Sequence, residues 1–234
     1  MIYDFDNVIC RRNTNSAKWD MKDEDILPVW VADMDFESPK PVIDALRKRV
    51  EHGIYGYTFA SDSYYNAIIN WQKRRFGWEI EKDWILYSPG VVPGVHMLVR
   101  ALTQPGDKVI VQKPVYYPFF KAIENNGRHI INNPLKLENG QYVMDYDDLE
   151  QKAKDPRTTL MILCSPHNPI GRVWTKDELT RLGEICLKHK VTVISDEIHE
   201  DLVYKELDIF PLHLSQLNLP ITPSLVLLPA KPLI

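Results

Sequence analysis

The sequence predicts an α/β fold with a mostly parallel sheet and helices on both faces. Short apolar segments, DKVIVQ, TLMILC and VTVIS, have the composition of strands that are buried on both sides. Segments with helical periodicity separate them, and strands that alternate with helices are typical of a parallel sheet. No internal repeat or low-complexity stretch interrupts this alternation.

The composition is that of an ordinary globular protein. The chain has 234 residues, 44% hydrophobic and 26% charged, so it can bury a sizeable core. A net charge of -4 gives no reason to expect nucleic acid as a partner. No apolar run approaches the ~20 residues of a membrane span. The acidic N-terminus is not typical of a signal peptide, and the three cysteines lack metal or redox spacing. We therefore expect a cytoplasmic protein with no membrane partner and no metal site.

Local signals set the order of the elements. Residues 1–36 have no regular pattern. Gly53 and Gly77 are positioned to end two helices. Two further strands are predicted, in the segments WILYSP and RHIINNPL. Three helices are predicted, in GVVPGVHMLVRALT, PFFKAIENN and DYDDLEQKAK. Thr175 and Glu178 have the spacing of a capping box, which predicts where the last helix begins.

Two polar residues follow neighbouring strands of the predicted sheet. Asp196 comes directly after VTVIS, and Asn168 lies in the loop SPHNPIG after TLMILC. Ligands of parallel sheets bind outside the carboxyl ends of the strands, so both residues are candidates for a site. Asp196 is either a helix-cap or turn acid, or the partner of a protonated ring nitrogen. Asn168 is either a turn residue or a hydrogen-bonding group toward a ligand.

Two further segments could complete such a site. In SPGVVPG, a glycine-containing turn opens a helix whose free N–H groups could bind an anion, although it matches neither the dinucleotide nor the Walker A pattern. In KPVYYPFF, Tyr116 is either a core residue or a ring that stacks on a flat ligand, and Tyr117 could transfer a proton. The combined set suits pyridoxal 5'-phosphate (PLP), which needs an acidic partner for its ring nitrogen.

Six segments, taken in order, resemble the fold-type I PLP enzymes of the class I/II aminotransferase superfamily: VWVADMDF, GIYGYT, SPGVVPG, PVYYPFF, CSPHNPIGRVW and SDEIHEDLVY. ADMDF and SDEIH are most similar to its cystathionine β-lyase branch, the cystalysin-like C–S lyases. The resemblance implies a three-layer fold of the aspartate aminotransferase type. It implies an N-terminal arm and small-domain segment over residues 1–50, and an incomplete PLP-binding large domain over 51–234. The C-terminal small domain would be missing.

The resemblance also implies roles for individual residues. Those expected around the cofactor ring are Asp196 at the pyridine nitrogen, Asn168 at the phenolic oxygen, His199 near that oxygen and Tyr116 stacked on the ring. Those expected at the phosphate are the backbone N–H groups of Val91 and Val92 and, from a neighbouring subunit of a homodimer, Tyr57. Tyr117 is the expected acid/base group, and residues around Ala32 and Asp33 would approach the substrate.

The lysine that binds the cofactor covalently is expected a few dozen residues after Asp196, and Lys231 has a suitable position. Its context, LLPAKPLI, lacks the family pattern S-K-T-F-N, and Leu228 stands where a phosphate-binding hydroxyl is common. From Leu217 onward the sequence loses its charges apart from Lys231. We therefore hypothesise a frame disruption or truncation in the gene, and we expect a sheet with an open apolar edge.

The function implied is a PLP-dependent carbon–sulfur β-lyase acting on cystathionine or related cysteine S-conjugates, which gives pyruvate, ammonia and a thiol. The activity is expected to be impaired in this chain. An aminotransferase on the same scaffold and a non-catalytic remnant of the family remain alternatives. A dinucleotide-binding enzyme is disfavoured because no Gly-x-Gly-x-x-Gly turn is present.

Overall fold

The computed structural model describes residues 3–204 and the backbone of residues 225–229. The chain divides into two compact units, one ending at Phe59 and the other beginning at Ala60. The described residues of the first unit form two helices, α1 (Ala17–Asp20) and α2 (Lys40–His52), within otherwise irregular chain. Helix α2 ends at Gly53, whose φ of 69° is left-handed, as predicted.

The second unit alternates helices and strands. Its helices are α3 (Asp62–Phe76), a 3₁₀ turn (Lys82–Trp84), α4 (Val91–Leu102), α5 (Pro118–Glu124), α6 (Tyr146–Ala153) and α7 (Lys176–Lys188). Its strands are β1 (Lys108–Val111), β2 (His129–Asn132), β3 (Lys136–Glu138), β4 (Gln141–Val143), β5 (Thr158–Cys164), β6 (Thr192–Glu197) and β7 (Leu225–Pro229).

Within the described residues, the main sheet has five strands in the order β2-β1-β5-β6-β7, and every pair is parallel. This confirms the predicted fold class. Leu225–Pro229 pairs with β6, so β7 is the outermost described strand on that side of the sheet, and the expected open apolar edge stays a prediction. The tail thus contributes backbone hydrogen bonds to the sheet, despite its unusual composition.

The core lies in two layers, one on each face of this sheet. Side chains alternate between the faces along a strand, and β5 shows this directly. Met161 and Leu163 pack toward α6 and α7, whereas Leu160 and Ile162 pack toward α4 and α5. Helices therefore cover both faces, which gives the three-layer arrangement that was predicted.

The structure differs from the predicted local elements in two places. WILYSP is not a strand: a 3₁₀ turn covers its first residue, Trp84, and irregular backbone follows. The hairpin of β3 and β4 was not predicted, although Asn139 and Gly140, both at positive φ, are a strong turn signal. The capping box of Thr175 and Glu178 is confirmed, with both of its hydrogen bonds formed.

Candidate functional site

The site lies where β5 and β6 end on the α4–α5 side of the sheet. Cys164, the last residue of β5, is in register with Asp196 on β6. Because side chains alternate, Asp196 shares the face of Ile194, which packs in the same cluster as Cys164. Strand β6 continues through Glu197, so Asp196 lies within the strand rather than after it.

Asp196 is a buried carboxyl group without a cationic partner in the described part of the chain. Its side chain is 2% exposed, and its Oδ1 accepts one hydrogen bond, 3.1 Å long, from the N–H of Ile198. Burial raises the pKa of Asp196 to about 6, although the Ile198 bond opposes the change. Such a carboxylate is costly unless a positive group joins it, so the site suits a protonated ring nitrogen.

Asn168 begins its loop one strand away from Asp196. Its backbone N–H donates to the Cys164 Sγ at 3.3 Å, which holds the residue near the end of β5. Its half-buried side chain makes no hydrogen bond to any described residue. The amide is therefore available to a ligand.

Tyr116 lies close enough to Asp196 for their charges to interact. Burial raises the pKa of Tyr116, and the nearby Tyr117 and Asp196 raise it further. Tyr116 packs edge-on against the buried Phe119, with ring centroids 5.8 Å apart and planes at 90°. Its ring is thus held against the core, whereas that of Tyr117 is 64% exposed.

Helix α4 begins at the same end of the sheet as Asp196 and Tyr116. Ser88 donates its hydroxyl to the carbonyl of Gly90 at 2.8 Å, which fixes the turn before the helix. The N–H groups of the first turn, those of Val91 and Val92 among them, have no acceptor within the helix. Val91 packs against the same core cluster as Tyr116, so the positive end of the helix dipole lies at this end of the sheet.

His199 follows β6 in a tight turn. It is half-buried, and burial lowers its pKa. The next residue, Glu200, is 3% exposed and accepts a 2.8 Å hydrogen bond from the Gln72 side chain on α3. Asp201 accepts from Trp71 and Arg75 at 3.0 Å each. Helix α3 thus holds the turn that carries His199.

The model of the family "Aminotransferase class I and II" matches residues 25–227. The chain belongs to this family. It is 50% identical over 204 residues to cystathionine beta-lyase PatB of Bacillus subtilis, covering 85% of this chain and 53% of that protein. It thus spans about half the length of the curated relatives that it matches.

Two solved structures of the family are also similar. Cystalysin from Treponema denticola, which contains a pyridoxal 5'-phosphate cofactor, has a TM-score of 0.91 and 40% identity, over 98% of this chain and 60% of its own. The PLP-bound C-S lyase from Staphylococcus hominis has a TM-score of 0.89 and 35% identity, over 96% of this chain and 58% of its own. Both matches have high enough identity to reflect family membership as well as fold.

The structure of this family member brings most of the predicted site residues to one end of the sheet. Asp196, Tyr116 and Val91 are linked by charge or shared packing, and Asn168 follows Cys164, which is in register with Asp196. Tyr57 is fully exposed in the other unit, the one that ends at Phe59. Lys231 lies outside the described residues.

Sequence reasoning missed two groups at this site. His167, in the predicted loop, is 2% exposed and was not singled out. Its position between two prolines was an available signal. Gln72 was also missed, although it lies at helical spacing from Ile68 and Phe76, on the inner face of α3. A polar residue at such a position needs a buried partner.

No helix in the part of the chain that the structure describes combines the length and the apolar composition needed to cross a membrane.

Proposed function

We propose that the protein of this chain is a PLP-dependent carbon–sulfur β-lyase that acts on cystathionine or related cysteine S-conjugates. The observation that carries the proposal is Asp196, a buried carboxyl group that no described cation neutralises. Such a group is matched by the protonated ring nitrogen of PLP. The relatives named cystathionine beta-lyase and C-S lyase support the choice of substrate class.

The residues present suit the cofactor. Asp196 would keep the proton on the ring nitrogen, and the free amide of Asn168 would donate to the ring oxygen. Tyr116 would supply the stacking face, and His199 would lie near the same oxygen. The N–H groups of Val91 and Val92 would bind the phosphate, where the helix dipole favours negative charge. When bound, PLP supplies an electron sink for the charge left at the substrate Cα.

The remaining roles concern protons and subunits. Tyr117 is largely exposed, so it could reach a leaving sulfur and give it a proton. Lys231 is the proposed attachment lysine. The proposed homodimer would place Tyr57 at the phosphate of the neighbouring subunit, and the full exposure of that side chain is consistent with this role. We also propose a cytoplasmic location and an activity that is impaired in this chain.

The domain division is proposed as an arm and small-domain segment over 1–50 and a large PLP-binding domain over 51–234. An aminotransferase is the second candidate function, because the matching family is named for that activity. The two reactions differ in their need for a second substrate. A lyase forms pyruvate and ammonia from cystathionine alone, whereas an aminotransferase needs a keto acid.

The test begins with the purified 234-residue chain and PLP. We expect visible absorbance of bound cofactor, and borohydride should attach it to Lys231 in a form found by peptide mass. In a separate sample without borohydride, cystathionine should yield pyruvate without a keto acid. K231A is the control for attachment. Binding without turnover would favour the non-catalytic remnant, and turnover that requires a keto acid would favour the aminotransferase.

A further inference from the structure

Among the described residues, one side-chain hydrogen bond joins the loop that carries Tyr116 to the loop that carries Asn168. His167, which precedes Asn168, is 2% exposed, and its Nε2 lies 2.9 Å from the carbonyl oxygen of Pro114. Pro114 lies two residues before Tyr116. The bond therefore connects the loop of the proposed stacking residue, Tyr116, to the loop of the proposed oxygen donor, Asn168.

The surroundings of His167 fix its protonation state. A carbonyl oxygen can only accept, so Nε2 carries the hydrogen. Burial lowers the pKa of His167 and outweighs the carbonyls of Pro114 and Cys164, which favour the protonated ring. The imidazole is therefore neutral at physiological pH. Its Nδ1 is buried and has no hydrogen-bond partner among the described residues.

Packing holds the ring in this orientation. The fully buried Trp174 meets His167 edge-on, with centroids 5.6 Å apart and planes at 87°. Trp174 is itself anchored, because its Nε1 donates to the Cys164 carbonyl at 3.0 Å. The backbone of His167 is bound as well: its N–H donates to the Arg172 carbonyl at 2.8 Å, and its carbonyl accepts from Gly171 at 2.8 Å.

We propose that His167 is a positioning residue that sets the spacing between Tyr116 and Asn168. It ties one loop to the other through Pro114, so it would act through Tyr116 and Asn168 rather than by contact with the cofactor. This inference rests on the proposed function, because a fixed spacing matters only if a flat ring is bound there. A rigid support of this kind is what holds binding groups in a productive geometry.

The test compares two variants of the full 234-residue chain. H167L removes the donor and leaves the Pro114 carbonyl without a partner, whereas H167Q keeps an N–H at a similar reach. H129L is the matched control, because His129 is exposed on β2. For each chain we would measure the Kd for PLP by absorbance titration, and hydrogen exchange of the PLP-free form.

We expect H167L to weaken PLP binding by about tenfold or more, as the loss of one buried hydrogen bond implies. H167Q should recover most of this affinity, and H129L should match the parent chain. Without PLP, H167L should speed amide exchange in residues 113–120 and 165–172.

Three results would be distinguishable. Unchanged exchange in both loops would overturn the coupling through Pro114. Faster exchange with an unchanged Kd would leave His167 a purely structural residue and overturn its positioning role. Failure of the parent chain to bind PLP, with faster exchange in H167L, would overturn the proposed function and with it the positioning role, while the link between the loops would stand.

Discussion

Both apolar core clusters lie in the unit that begins at Ala60, whereas the described residues of the unit ending at Phe59 bury only Ser16 and Pro28. In the second unit, strands that are buried on both faces position Asp196 and Asn168 at one end of the sheet. In the first, order comes from charge: Asp35 accepts from Arg11, Lys18 and Trp19 at 2.6, 2.6 and 2.8 Å.

The two units are therefore stabilised in different ways, the second mainly by buried apolar surface and the first mainly by interactions between charges. Burial of apolar surface supplies free energy that depends weakly on pH and salt. A partly exposed charge network supplies less, and salt screens it. The site is therefore expected to persist under conditions that loosen the N-terminal unit, and substitutions in the two units should differ in size and in pH dependence.

The largest effect is expected for W174A. Trp174 is fully buried between the site loop and the core, so its removal leaves a cavity and an unsatisfied Cys164 carbonyl. We expect a loss of about 3–5 kcal/mol in the free energy of unfolding, measured by urea denaturation. W84A is the control, since Trp84 is 60% exposed, and its cost should stay below about 1 kcal/mol. Equal losses would contradict the core assignment.

E200Q is expected to raise stability at neutral pH. Burial raises the pKa of Glu200 to about 7, so the folded chain holds a proton that the unfolded chain releases near its ordinary value. Stability should then fall as the pH rises from about 4.5 to 7, by up to about 3 kcal/mol. The variant removes this slope, and its amide can also donate to the Gln72 Oε1, which lacks a partner among the described residues.

The measurement is urea denaturation of parent and E200Q chains between pH 4.5 and 8. The stability difference should be small at pH 4.5 and reach its maximum above pH 7. E184Q is a suitable control, because it changes a glutamate elsewhere in the second unit, on α7. A constant gain at every pH would show that Glu200 stays ionised in the folded chain.

D196N should separate stability from ligand binding. Burial raises the pKa of Asp196 to about 6, so its carboxylate costs the PLP-free chain up to about 3 kcal/mol above that pH. The cost develops as the pH rises from about 4 to 6, and the neutral amide removes it. The variant should therefore unfold at higher urea at pH 7, yet bind PLP far more weakly than the parent.

Both readouts come from the same sample, with urea denaturation of the PLP-free chain and a PLP absorbance titration. D147N, a change of a surface acid in the first turn of α6, is the control for general loss of charge. If D196N lost stability and kept its PLP affinity, Asp196 would be a structural acid, which is the alternative that the sequence left open.

Local chemistry and strand alternation were enough to predict most of this architecture. Gly53, Thr175 and Glu178 act through their own segment, so their effects are visible in the sequence. The position of Asn168 and Asp196 at the same end of two neighbouring strands followed from the rule for parallel strands. Ile85–Tyr87 failed as a strand because β propensity reflects packing against neighbours, and this segment pairs with no described strand.

Contacts between distant loops were beyond such reasoning. The bond from His167 to Pro114 and the bond from Gln72 to Glu200 join residues that no local pattern relates. Each depends on how the loops and helices pack after the sheet has formed. The pairing of Leu225–Pro229 with β6 is similar, because it joins two segments that are far apart in the sequence.

The smallest effect is expected for D35N in the N-terminal unit. Lys18, Trp19 and Arg11 donate to the Asp35 carboxylate and hold its pKa well below its usual range. The contribution of Asp35 to the free energy of unfolding is therefore present above pH 4 and is lost as the pH falls further. It should be below about 1 kcal/mol because the side chain is partly exposed.

Hydrogen exchange at pH 7 should show faster exchange of the amides around Asp35 in D35N, and added salt should produce the same change in the parent. D25N is the control, and neither treatment should alter exchange in β5 or β6. Faster exchange in those strands would mean that the site depends on the charge network, contrary to the contrast between the two units.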